Sequence, residues 1–179
     1  MQQPIIKSYC AFVKTLPADH IHRIYHDEEY GFPIEDDNAL FARLILEINQ
    51  AGLSWDTILK KKENFFKAYS NFDIHAVSNY SETDVQRLME DAGIIRNRLK
   101  INAAIENARK LLAIQDEYGS FKDFLDRHHP LPKEQWVKLL KQHFKFVGGE
   151  IVNEFLMSTG YLPGAHHPDC PVYCKTVGR

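Results

Sequence analysis

No apolar run in this sequence approaches the ~18 residues that a bilayer-spanning helix needs, so no membrane partner is expected. Residues 1–10 hold only Ile5 and Ile6 as an apolar pair, without the hydrophobic stretch of a secretory signal. Cysteine is scarce: Cys10, Cys170 and Cys174 are too few and too unevenly placed for a disulfide framework. These absences together predict a protein of the reducing cytoplasm. Charge of one sign is lacking as well, with 22 Lys and Arg against 24 Asp and Glu and a formal net charge of -2. That balance excludes a strongly basic chromatin-type protein but leaves room for a local nucleic-acid patch. What is present is globular: 179 residues, 44% hydrophobic and 26% charged, enough for one domain or for two small lobes sharing a core.

The hydrophobic pattern follows helical spacing and almost never alternates. Asp36 or Asp37 can cap a helix in which Leu40, Phe41, Leu44, Ile45 and Ile48 recur at three- and four-residue steps, ending near Gly52. Ser54 offers a cap before Trp55, Ile58 and Leu59, and Ser81 with Asp84 resembles a capping box ahead of Val85 and Leu88. Over residues 98–114, Ile101, Ala104, Ile105, Ala108, Leu111 and Leu112 form one stripe. Shorter helices are marked by Phe121, Phe124 and Leu125, by Trp136, Leu139 and Leu140, and by Ile151, Phe155 and Leu156. The stretch after Tyr161 reads as irregular. The expectation is an all-α, compact bundle of about eight helices.

Three constellations can carry chemistry. In the first, Gly93 sits in a turn between helices and is followed by Arg96, Arg98 and Lys100. A glycine turn with helix N-terminal amides and arginines beyond it resembles a helix-hairpin-helix, which holds DNA phosphates without reading bases. An ordinary helix cap explains Gly93 equally well. The second constellation joins the chain ends: Cys10 and His26, then His166, His167 and Cys170, with Cys174 behind. Two cysteines and two histidines match a closed tetrahedral zinc site, although a buried thiol and surface histidines are the plain alternative. The third is Glu47, set between Leu46 and Ile48 and followed by Asn49, Gln50 and Trp55. A carboxylate there is expensive to bury, and with amides and an indole it could line a pocket for a heteroaromatic base. The alternative is a helix end with a core tryptophan and a solvent-facing glutamate.

Further segments accompany these: Tyr25-His26-Asp27-Glu28-Glu29-Tyr30-Gly31, Gln50-Ala51-Gly52-Leu53-Ser54-Trp55, Asp91-Ala92-Gly93-Ile94-Ile95-Arg96 and Phe144-Lys145-Phe146-Val147-Gly148. In this order they resemble the DNA-3-methyladenine glycosylase I family of the helix-hairpin-helix superfamily. The resemblance implies a monofunctional base-excision enzyme that flips N3-methyladenine from duplex DNA and hydrolyses its glycosidic bond. It implies one structural zinc ion on Cys10, His26, His166 and Cys170, clipping the two ends of a single domain that acts as a monomer. Glu47 becomes the base-contacting catalytic residue, Tyr25 and Trp55 its aromatic walls, and the Gly93 turn the DNA anchor. N3-methylation makes the base cationic, so it leaves as a neutral molecule. Selection by Glu47 then matters more than acid catalysis.

The sequence departs from the family pattern at Ile48 and Asn49, where glycine and glutamine are usual, and at Phe12 and Tyr30, where tryptophan is usual. These put the exact base preference in question. The spacing from Gly160 to His166 is one residue longer, which leaves His167 or Cys174 as substitute ligands. Two competing readings are a non-catalytic DNA-damage binder and a zinc hydrolase using His26, Asp27 and His166. The hydrolase is the weaker, because four protein ligands leave no open position on the metal.

Overall fold

The computed structural model describes residues 8–176, and all regular structure among them is helical. In chain order the elements are α1 (Tyr9–Lys14), α2 (Ile21–Glu28), α3 (Asp37–Gln50), α4 (Trp55–Ala68), a 3-10 turn (Ser70–Phe72), α5 (Ile74–Ser78), α6 (Glu82–Glu90), α7 (Arg98–Tyr118), α8 (Phe121–His128), α9 (Lys133–His143), α10 (Gly149–Ser158) and α11 (Tyr173–Thr176). The chain divides into a terminal unit, Met1–Pro33 with Leu156–Arg179, and a central unit, Ile34–Phe155. Among the described residues eleven α-helices stand where periodicity gave about eight. The additions α1, α2, α5 and α11 have four to eight residues, too few to show a full apolar repeat. α11 lies in the stretch expected to be irregular.

The core of the central unit is built on α3, whose Leu40, Phe41, Leu44, Ile45 and Ile48 are all fully buried. Each such side chain contributes about 1.5–3 kcal/mol by leaving water. α3 packs against α4, α7 and α8. From α7, Ile101, Ala104, Ala108 and Leu111 face inward with at most 1% exposure, as the stripe requires. Caps set the helix starts: the hydroxyl of Ser54 accepts from the Thr57 N–H at 3.2 Å, and Asn97 Oδ1 accepts from the Lys100 N–H at 3.2 Å. The Ser81–Asp84 capping box is present.

Residues 91–97 join α6 to α7, and residues 144–148 join α9 to α10. In the first, Gly93 is needed for close approach, since a Cβ there would lie 2.9 Å from Asp91 Oδ1 and 3.1 Å from Asn64 Cβ. In the second, the exposed Phe146 adopts a left-handed backbone, φ 62°. The fully buried Asn107 of α7 pins that turn: its amide donates to the Lys145 carbonyl at 3.1 Å, and its carbonyl accepts the Lys145 N–H at 2.7 Å.

The two aspartates at the start of α3 have separate tasks. Asp36 caps its own helix, accepting the Ala39 N–H at 2.8 Å. Asp37 instead accepts from Gln115 Nε2 at 2.6 Å and from the Phe121 and Lys122 N–H groups at 2.8 and 3.0 Å, so it closes the N-terminus of α8. Because it satisfies donors of another helix with a charged acceptor, Asp37→Ala should cost ~2–3 kcal/mol in urea denaturation. Asp36→Ala should cost ~1 kcal/mol. Equal losses would contradict the division of tasks.

Candidate functional site

Within the terminal unit, α1 supplies Cys10, α2 supplies His26, and the turn before α11 supplies His166 and Cys170. Their ligand atoms all lie within 4.8 Å of one another, and all four residues are buried. His26 Nε2 is 3.3 Å from Cys10 Sγ, 3.7 Å from Cys170 Sγ and 3.1 Å from His166 Nδ1. His166 Nδ1 is 3.8 Å from Cys10 Sγ and 3.9 Å from Cys170 Sγ. An ion with bonds of about 2.3 Å to sulfur and about 2.0 Å to nitrogen spaces tetrahedral ligands by about 3.3–3.8 Å, so the donor set fits zinc. Gly31 (φ 82°) permits the packing, because a Cβ there would stand 2.8 Å from Ala165 Cβ and 3.2 Å from the His166 ring.

The groups around the cluster orient it. His166 Nε2 donates to the Tyr30 carbonyl at 2.6 Å, which leaves Nδ1 with its lone pair facing the other three donors. Burial holds the His166 ring below its ordinary pKa and therefore neutral, as a metal ligand must be. His26 Nδ1 pairs with Asp27 Oδ1 at 2.7 Å, and Asp27 is in turn held by Arg23 Nε at 2.7 Å. Cys10 Sγ accepts the His167 N–H at 3.5 Å. Burial, with Cys170 beside it, pushes the Cys10 thiol up. The substitutes left open by the sequence stand apart: Cys174 is exposed, and the His167 ring turns to Asp169 at 3.2 Å. Phe12 and Tyr30 belong to the aromatic packing of this unit, Phe12 at 5.4 Å from the His22 ring and Tyr30 at 5.7 Å from both Tyr25 and His166. Tyr25 is 4% exposed.

The central unit holds the carboxyl. Glu47 on α3 is 4% exposed, and burial pushes its pKa up to about 8; Arg43 opposes this rise and Glu154 adds to it. The solvent-facing alternative is therefore wrong. Trp55 is half-buried at the start of α4, directly after the Ser54 cap. Asn49 does not line an open pocket as expected: it is fully buried, its Nδ2 donates to the Ile45 carbonyl at 2.8 Å, and its Oδ1 has no hydrogen-bond partner. Ile48 is likewise fully buried in the core.

The expected DNA anchor is also revised. Lys100 is 5% exposed and donates to the carbonyls of Asn49 and Ala51, both at 2.8 Å, so its ammonium closes the C-terminus of α3 and is withheld from phosphates. Arg96 and Arg98 stay exposed, Arg98 paired with Glu82 at 2.6 Å. Sequence reasoning missed Arg43 and Glu154 as neighbours of Glu47; the four-residue spacing on one helix marks Arg43, and no local pattern marks Glu154. It quoted the segment around Lys145 and Phe146 without recognising a second hairpin, whose signal was the glycine pair Gly148-Gly149 opening a new apolar period.

The family described as methyladenine glycosylase matches residues 15–138. The DNA-3-methyladenine glycosylase 1 of Escherichia coli K12 is 38% identical over 174 residues, covering 87% of this chain and 92% of the relative. A solved 3-methyladenine DNA glycosylase I from Staphylococcus aureus superposes with a TM-score of 0.78 at 36% identity, over 87% of this chain and 93% of its own. A tyrosine-to-phenylalanine variant of a 3-methyladenine DNA glycosylase I, solved in complex with 3-methyladenine, gives 0.80 at 36% identity over 92% and 96%. With more than half its length matched by the family and most of it by these relatives, the chain belongs to the methyladenine glycosylase family.

Proposed function

We propose that this chain is a DNA-3-methyladenine glycosylase that removes N3-alkylated adenine from duplex DNA, working as a monomeric cytoplasmic repair enzyme. The observation that carries the reading is the buried Glu47 in a chain whose relatives include a 3-methyladenine complex. At neutral pH the resting carboxyl is protonated, since burial has raised its pKa to about 8. A cationic base supplies the countercharge that lets it ionise, whereas unmodified adenine does not, and the site so favours the damaged base. The same positive charge weakens the glycosidic bond, because the base departs neutral. Trp55, in the same unit as Glu47, is the aromatic group assigned to stacking on the extruded ring.

Cys10, His26, His166 and Cys170 would hold a zinc ion, which supplies a closed, structural cross-link and no reactive position. Phosphate contacts are assigned to the turn at Gly93 with Arg96 and Arg98, joined by the Lys145–Phe146 turn.

Three measurements test this reading. Protein purified without chelator should contain about one zinc per chain, and less than about a tenth of an equivalent would exclude the site. Glu47→Gln should preserve fold and zinc yet weaken 3-methyladenine binding roughly ten- to hundredfold, followed by tryptophan fluorescence. Unchanged affinity would remove Glu47 from the reading. Arg98→Ala should weaken binding to all duplexes alike and flatten its salt dependence by about one unit of log–log slope. A sequence-selective loss would place the contact on bases instead.

A further inference from the structure

Glu47 is not an isolated charge. Arg43 precedes it by one turn on the same face of α3, where residues four apart are neighbours. Arg43 is 6% exposed and Glu47 is 4% exposed, so both charges sit in a medium that screens them poorly. From α10, the half-buried Glu154 acts on the same carboxyl. Arg43 and Glu154 are the charged groups that shift Glu47; α7, which also packs on α3, brings the buried Lys100 ammonium to the Asn49 and Ala51 carbonyls at the end of the same helix.

The sum of these charges decides what the site accepts. With Glu47 protonated, Arg43 and Glu154 balance and the group is neutral. With Glu47 ionised the group carries one negative charge, which a cationic base cancels and a neutral base leaves buried. Without the guanidinium, ionising Glu47 would add a second negative charge to that of Glu154, with no cation on the same face of α3 to offset it. Glu47 would then keep its proton, and no countercharge would meet the base.

We propose that buried Arg43 and half-buried Glu154 form with Glu47 a three-charge group that makes capture of the extruded base conditional on its positive charge. Arg43 acts through Glu47 and is a positioning residue: it keeps the ionised carboxylate within reach of neutral pH. Glu154 is the counterweight that prevents Arg43 from neutralising Glu47 permanently. This inference rests on the role proposed for Glu47.

The test is the pH profile of 3-methyladenine release from methylated duplex DNA, measured as kcat/KM on the full, zinc-replete chain. N3-methyldeoxyadenosine carries a fixed charge, so the profile reports the protein. Wild-type kcat/KM should rise through the ionisation of Glu47. Arg43→Met should move that midpoint up by about one pH unit or more, and Arg43→Lys should bring it back. Glu154→Gln should move it down. An Arg43→Met midpoint equal to that of the wild type overturns the proposal. Should Arg43→Met fail to fold, an unmoved midpoint in Glu154→Gln overturns it instead. Glu47→Gln separates the two levels: a flat profile there with an unmoved Arg43→Met midpoint defeats this inference alone. A wild-type profile in Glu47→Gln defeats the role of Glu47 and this inference together.

Discussion

A carboxyl buried on a helix is useful only if the helix cannot shift, and α3 is fixed at both ends by ionised groups. At its start, Asp37 reaches out to close α8. At its end, the ammonium of Lys100 takes the carbonyls of Asn49 and Ala51, a favourable place for positive charge at a helix C-terminus. Between them the core side chains Leu40, Phe41, Leu44, Ile45 and Ile48 set the rotation of the helix about its axis. The orientation of Glu47 follows from these constraints. The turn that leads to Trp55 begins where Lys100 holds the chain, so the acid and the indole are referenced to one anchor.

The terminal unit obeys a different logic. Its short helices bury few large apolar residues, and much of what they do bury is aromatic or polar: His22, Tyr25, His26, Tyr30 and His166. Such groups need partners when taken from water. The structure supplies them through Asp27, the Tyr30 carbonyl and Tyr9, whose hydroxyl lies 2.9 Å from His22 Nδ1. Around the four donors, hydrogen bonds do the orienting that packing does in the central unit.

How far the sequence could be read depends on whether the signal was local. α3 and α7 were legible because a long amphipathic repeat records which face is buried, and the Ser81–Asp84 box was legible because its partners are three residues apart. α1, α2 and α11 left no such record. Lys100 shows a different difficulty: a lysine beside two arginines reads as one basic patch, yet its neighbours face solvent while it caps a helix. Asn49 looked like a pocket amide until the helix turned its Nδ2 onto Ile45. The Cys/His set and Glu47 stood out from their residue context before the resemblance assigned their roles; Arg43 was within reach of the four-residue helical spacing, whereas Glu154 required the fold, since only tertiary structure relates it to Glu47.

The Cys2His2 cluster joins Cys10 to His166 across 156 positions of sequence. During synthesis the first pair of donors therefore leaves the ribosome long before the second. Residues 34–155 form one uninterrupted stretch, able to collapse in the order in which it is made. The four donors can meet only once residue 170 has emerged, and the entropy of closing so long a loop is lost at that moment. The ligand set is thus completed only after the central unit has been made, and a chain cut short before Cys170 lacks its fourth donor.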